Sequence, residues 1–378
     1  MIKNREKGNV NIILIIFILL AISAIVFLFF QDNTSSNNIS EFENISGEDG
    51  TVSTQHDDST ITNNNSQDVV KLSNNITGNQ QINTSNTNNS NTSNGNTNEY
   101  TRYFYSQLNS SAKQMYSALE NNKDVLIDGY GGIDFNINMP GLDKSFQSAW
   151  DAISLDKPSL FYVDTSKISL LSKTTTNLLG KETYSYKLQP KSGGNYFIST
   201  WKNSSEVKSA INRVNSVIQQ IVNGAPNSSK RYDYIKYVHD YLINTIDYNQ
   251  GENPNNGDIY GALINRKCVC EGYAKAFKQL MDEKNVPCVI VFGKASDEDG
   301  NSEVHAWNYV MLEDGKWYAI DTTWDDPIIV GRGKIPESAK YKYFLKGSSS
   351  FFKSHFEDPD VSGSGQNFKY PVLSETDY

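Results

Sequence analysis

Cysteine is nearly missing from this sequence, with three residues in 378. So few thiols exclude a dense disulfide scaffold, and an odd number leaves at least one unpaired within the chain. Hydrophobic residues are also scarce, at 38%, so some long stretch takes no part in a core. Clustered Lys and Arg are lacking beyond the extreme N-terminus, and acidic residues outnumber basic ones 43 to 34, for a formal charge of −9. Phosphate binding needs a basic patch, which argues against a nucleic-acid partner. Aromatics do not share the scarcity. They reach 12%, with 22 tyrosines, so part of the chain packs a real core.

The polar excess is localised. Lys3, Arg5 and Lys7 precede an apolar run from Val10 to Phe30, broken only by Asn11 and Ser23. As a helix that run spans roughly 30 Å, the thickness of a bilayer core. Basic residues ahead of it keep the N-terminus cytoplasmic and put the chain beyond Phe30 outside the cell. Residues 1–30 therefore read as a transmembrane anchor. The alternative is a cleaved signal peptide, whose apolar segment is about 7–15 residues and ends in small side chains; here the run continues past Ala21 and Ala24 to Phe30. From 31 to 99 over half the residues are Asn, Ser or Thr, and Phe42 is the one aromatic. Such a segment buries too little apolar surface to offset its ordering entropy, and reads as a disordered linker. As a coil it reaches roughly 45 Å. Its Asn-X-Ser/Thr triplets arise by chance in such a composition and say little about glycosylation.

Residues 100–204 predict a small α+β subdomain. Tyr103, Leu108, Ala112, Met115, Tyr116 and Leu119 recur at helical spacing, for one helix over about 101–121. Ile133, Phe135 and Ile137 alternate like a strand. Leu142, Phe146, Trp150 and Ile153 mark a second helix that stops near Pro158, after which 160–163 reads as extended. Thr183–Leu188 and Asn195–Thr200 read as strands paired across 190–194. No nucleophile, base and orienter assemble here, so the segment reads as packing or substrate-framing.

Residues 205–378 carry the chemistry. Val207, Ile211, Val214, Ile218 and Ile221 mark one helix, and Tyr234, Ile235, Val238, Tyr241, Leu242 and Ile246 the next. Tyr273, Ala274, Phe277, Leu280 and Met281 stripe a third, with Cys270 at its start. Helix N-termini offer free N–H groups and partial positive charge, which favour the nucleophilic thiolate. Gly272 leaves room for a close approach. Cys288–Phe292 reads as a strand, followed by a polar loop over 296–302 and a second strand on which His305, Trp307 and Tyr309 share a face. A turn at Asp314-Gly315 makes a hairpin with Trp317–Ile320 and brings Asp321 toward His305. Cys270, His305 and Asp321 then read as nucleophile, base and orienter. The plain alternatives are a buried small thiol, a satisfied core histidine and a turn cap. Cys268, Cys288, His239 and His355 read as structural. Trp307, Asn308, Tyr318 and Trp324 read as core and loop-locking residues, and Asp325-Asp326 as a turn. A zinc site from Cys268, Cys270, Cys288 and His305 would rest on a poor ligand spacing.

Cys270-Glu271-Gly272-Tyr273-Ala274, His305-Ala306-Trp307-Asn308 and Trp317-Tyr318-Ala319-Ile320-Asp321-Thr322-Thr323-Trp324 together resemble the three core motifs of the transglutaminase-like superfamily. The order Cys, His, Asp fits that family, with His305 lying 35 residues after Cys270 and Asp321 a further 16. The resemblance is strongest over about 230–345. Asp156–Tyr162 upstream and Tyr343-Phe344-Leu345 with His355 downstream are similar to the same regions of bacterial secreted members. The resemblance implies an α+β, papain-like fold for 205–378, with the 100–204 subdomain ahead of it. It implies Cys270 as nucleophile, His305 as general base and Asp321 as orienter. It also implies a thioester formed from a peptide or protein amide and passed to an amine or to water, with no metal and no cofactor. A cell-envelope substrate is suggested by location alone. The competing implication is a non-catalytic binding module, since some members of the superfamily have lost activity.

Overall fold

The computed structural model describes residues 100–135, 138–140, 142–191, 193–326, 336–360 and 366–378. The expected anchor at 1–30 and linker at 31–99 lie outside the described residues, as does Ile137. Among the described residues no helix is long and apolar enough to cross a membrane.

Asn109 breaks the first expected helix. Its side chain accepts a hydrogen bond from Ala112 N, which starts a new helix there. The segment runs as α1 (Tyr103–Ser106), α2 (Ser110–Asn121) and α3 (Lys123–Asp128), followed by strand β1 (Ile133–Phe135) and helix α4 (Asp143–Asp156). Asp156, fully buried at the end of α4, accepts from Phe104 N, Tyr105 N and the Tyr116 hydroxyl. It ties α1 and α2 to α4 through one carboxylate.

The strand pairing expected downstream is wrong. β3 (Glu182–Pro190) pairs with β2 (Ile168–Thr176), not with 195–200, and β1 adds to its other edge. The deciding feature is the turn at 177–181. Asn177 Oδ1 accepts from Leu179 N and Lys181 N, and Gly180 takes φ +78°, a left-handed conformation that glycine adopts without a steric penalty. Residues 195–200 make only a single bridge, Val163 to Phe197. Of the stretch expected to be extended, 160–163, Leu160 closes a 3₁₀ turn over Pro158–Leu160, 161–162 are a turn and only Val163 pairs.

Helices α5 (Ser204–Gly224) and α6 (Arg231–Thr245) cover the expected stripes, and α5 buries Val207, Ala210, Val214, Ile218 and Ile221 on one face. Short parallel strands β4 (Asp247–Tyr248) and β5 (Lys267–Cys268) lead into α7 (Cys270–Glu283). Then come β6 (Cys288–Ser296), β7 (Ser302–Met311), β8 (Trp317–Ile320), the one-turn helix α8 (Ser348–Phe351) and β9 (His355–Glu357). The last four strands form one antiparallel sheet in the order β8-β7-β6-β9. Helix α7 lies on this sheet and buries Tyr273, Ala274, Phe277, Leu280 and Met281. Each larger side chain of that set is worth about 1.5–3 kcal/mol when buried. Asn308 of β7 donates to Ala274 O at 3.0 Å, and Tyr234 of α6 donates to Leu280 O at 2.7 Å. Helix α7 is thereby held to the sheet on one side and to α6 on the other. The observed mixture of helix and sheet agrees with the α+β expectation.

Candidate active site

Cys270 is the first residue of α7. The residue before it, Val269, is extended and provides no side-chain cap; its carbonyl accepts from Gly272 N at 2.9 Å, and the Cys270 and Glu271 amides ahead of that bond have no earlier helical carbonyl to reach. The approach to Cys270 is fixed by backbone. Asn249 N donates to Cys268 O at 3.0 Å, and Val269 N donates to Asn256 O at 3.0 Å. Gly272 makes this possible, because a Cβ there would stand 2.6 Å from Cys268 Cβ and 2.9 Å from Asn256 O. The glycine serves a backbone approach rather than a ligand. All three cysteines are unbridged; Cys268 and Cys288 are buried and Cys270 is half-buried. Burial pushes the Cys268 and Cys288 thiols up, which keeps them protonated.

His305 projects from β7, where it stands opposite Gly293 of β6. Asp321 follows β8 directly, past the Asn308–Ile320 pair, at the end of the hairpin nearest His305. His305 Nε2 lies 2.7 Å from Asp321 Oδ2. Asp321 Oδ1 accepts from Thr323 N at 2.9 Å and Trp324 N at 3.1 Å, which orients the carboxylate. Burial opposes charge on both partners. It is outweighed: Asp321 and then Cys270 hold the His305 imidazole well above its usual proton affinity, and the histidines hold Asp321 well below the usual carboxylate range. With Nε2 committed to Asp321, the nitrogen left for Cys270 is Nδ1. That buried nitrogen has no hydrogen-bond partner, while Cys270 lies close enough to bias the ring. The structure thus pairs His305 with Asp321 and places Cys270 near enough to raise the proton affinity of the imidazole. Trp307 and Trp324 flank the imidazole, with ring centroids 6.1 and 5.3 Å away, and keep water off it.

Two residues passed over in the sequence also stand at this site. His355, on β9, places Nε2 3.1 Å from the same Asp321 Oδ2. Its only signal in sequence was its place in the family-like tail. Tyr248, on β4, is half-buried, and its hydroxyl is pushed up to about 12 by burial, with Cys270 the first of the charges that add to this. Its signal was a tyrosine between a helix and the cysteine segment, too common to single out. His239 lies elsewhere, between Asp240 and Asp325, in keeping with its structural reading. Among the described residues the one group with metal-like spacing is His305, Asp321 and His355. Cys268, Cys270 and Cys288 do not belong to it. The 2.7 and 3.1 Å separations are hydrogen bonds to one shared oxygen.

Residues 215–322 match the transglutaminase-like superfamily, a stretch that contains Cys270, His305 and Asp321. No curated protein matches the chain in sequence. Among solved structures, a TGase shares 14% identity over 56% of this chain and 55% of its own, with a TM-score of 0.26. The periplasmic domain of TgpA from Pseudomonas aeruginosa shares 12% identity over 38% of this chain and 55% of its own, with a TM-score of 0.24. The chain spans little more than half the length of these relatives, and the family match is confined to residues 215–322.

Proposed function

We propose, for a chain whose residues 215–322 belong to the transglutaminase-like superfamily, that it is a cysteine enzyme acting on peptide or protein amides through Cys270, His305 and Asp321. One observation carries this reading. His305 gives Nε2 to Asp321 and keeps Nδ1 without a partner, in a ring whose proton affinity the nearby Cys270, at a helix start, helps to raise. That is the arrangement a thiolate–imidazolium pair requires.

The Cys270 sulfur attacks the amide carbonyl, and the Cys270 N–H, in the first turn of α7, supports the developing oxyanion. His305 passes its proton from Nδ1 to the departing amine, leaving a thioester on Cys270. Water or a second amine then attacks the thioester, with His305 accepting the proton of the attacking group, and the Cys270 sulfur leaves as the thiolate, restoring the starting pair. Asp321 stays ionised and holds the ring in place. The test uses the full-length chain in detergent with casein and a fluorescent primary amine. Peptide cleavage or amine incorporation is expected, with an acyl adduct trapped on Cys270 by acid quench, and both are lost in Cys270→Ala. Equal signal from the two chains overturns the reading.

The domain acts outside the cell, held to the membrane by residues 1–30. The basic residues ahead of the Val10–Phe30 run support this. Protease added to intact cells is expected to cut the 31–99 stretch and release the domain; full protection would place it inside.

A further inference from the structure

We infer that His355 is a positioning residue of this site: it donates Nε2–H to the carboxylate oxygen that His305 also uses, and so fixes Asp321 beneath the base. The inference rests on the cysteine-enzyme reading and adds a fourth side chain to it.

The sheet explains how two histidines reach one oxygen. His305 on β7 stands opposite Gly293 of β6, and His355 on β9 stands opposite Ala295 of β6. Gly293 and Ala295 are two apart, so they share a face of the sheet, and their cross-strand partners share it too. Both β6 residues are small. A Cβ at Gly293 would meet Phe356 O at 2.0 Å and Trp307 at 2.7 Å. The space over Gly293 is taken by the Phe356 carbonyl and the Trp307 ring, so β9 closes on β6 there, and the imidazole centroids stand 5.9 Å apart.

The tautomer is set by the partners. Asp321 is ionised and can only accept, so His355 Nε2 must carry the proton it shares at 3.1 Å. His355 Nδ1 then accepts from the Ser354 hydroxyl, 2.9 Å away. The ring is neutral, buried and stacked on Phe351 with a centroid distance of 4.0 Å. Burial and the neighbouring His305 both disfavour a proton on Nδ1. Four hydrogen bonds therefore converge on Asp321: Thr323 N and Trp324 N on Oδ1, His305 and His355 on Oδ2. Without His355 the carboxylate can turn about its χ angles and carry the His305 ring with it. Nδ1 then leaves the line to Cys270.

The experiment compares His355→Gln, His355→Asn and His355→Leu in the full-length chain. Gln places an N–H where Nε2 was. Asn places its polar atoms near the Nδ1 position and reaches Ser354 only. Leu fills space without donating. Iodoacetamide labelling of Cys270 is followed by mass spectrometry from pH 5 to 8, beside thermal melting of each variant. The expected result is a loss of about tenfold in labelling rate for Asn and Leu at pH 6, with Gln within about threefold of the parent. A role in packing alone would favour Leu and would not separate Gln from Asn. Gln no faster than Asn, or Leu as fast as the parent, overturns the inference while His305→Ala still abolishes labelling. A His305→Ala chain that labels at the parent rate takes down the cysteine-enzyme reading and this inference with it.

Discussion

Two Asp–His pairs stand four residues apart on one turn of the chain, and they use their histidines differently. His305 gives Nε2 to Asp321 at 2.7 Å and leaves Nδ1 without an oxygen or nitrogen partner. His239 commits both nitrogens, Nδ1 to Asp240 at 3.0 Å and Nε2 to Asp325 at 3.1 Å. Both rings are buried. Burial and a carboxylate partner therefore do not mark a base, since both pairs have them. What separates the two is an uncommitted nitrogen with a cysteine beside it. His239 is instead a rivet: it stacks on Tyr341 and meets Phe344 at a tilt, and Asp325 accepts from Tyr343 N, so helix α6 is fastened to the turn that carries Asp321.

The largest expected effect tests this contrast directly. His305→Ala should slow iodoacetamide labelling of Cys270 at pH 6 by about 10²–10⁴-fold. His239→Ala leaves Asp325 buried without its cationic partner, which costs about 3–5 kcal/mol of stability. The folded fraction should still label within about threefold of the parent rate. Labelling per folded molecule and urea unfolding measure the two quantities separately. If His239→Ala slows labelling of folded protein as much as His305→Ala does, the distinction between base and rivet collapses.

The same contrast explains what was legible in the sequence. Helices α5, α6 and α7 each bury one stripe, so their apolar residues repeat at helical spacing and stand out. Strand β2 is exposed on both faces beyond Leu170, so no alternation reports it, and β3 was matched to the wrong partner. Asn177 and Gly180 held the turn signal there, but no apolar run flanked it. Cys270, His305 and Asp321 were legible because each lies in a motif of its own, on the long elements α7 and β7 or just past the buried end of β8. His355 was not. It belongs to a three-residue strand after a one-turn helix, and its partner is set by register across β6. The clue was the pair of small residues Gly293 and Ala295, which look unremarkable until the pairing is known.

A smaller effect sharpens the contrast through pH. Burial raises the Asp325 carboxyl to about 6, despite His239 beside it, whereas the histidines hold Asp321 well below the usual range. The signs differ accordingly. Asp321 has a depressed folded value, so its stabilisation is complete above about pH 3.9 and is lost as pH falls through the folded value. Asp325 has a raised folded value, so the folded chain holds its proton more tightly than the unfolded one. Its contribution declines as pH rises from about 4 to about 6 and is level above that. Each term is on the order of 1–3 kcal/mol. Urea unfolding between pH 2.5 and 8 should therefore show two separable changes. Asp321→Asn should flatten the loss of stability below pH 4 and leave the slope from 4 to 6 alone. Asp325→Asn should flatten the 4-to-6 slope and leave the acid limb alone. His305, whose folded value is raised, stabilises fully below about pH 6.5 and loses that contribution as pH climbs through its folded value, so His305→Gln should flatten the alkaline side and also weaken the acid limb, because His305 is part of what holds Asp321 low. Identical profiles for Asp321→Asn and Asp325→Asn would mean that the turn titrates as one unit and that the two pairs are not independent. Three separate limbs would mean that one short turn holds an ionised carboxylate for the chemistry and a reluctant one for the fold.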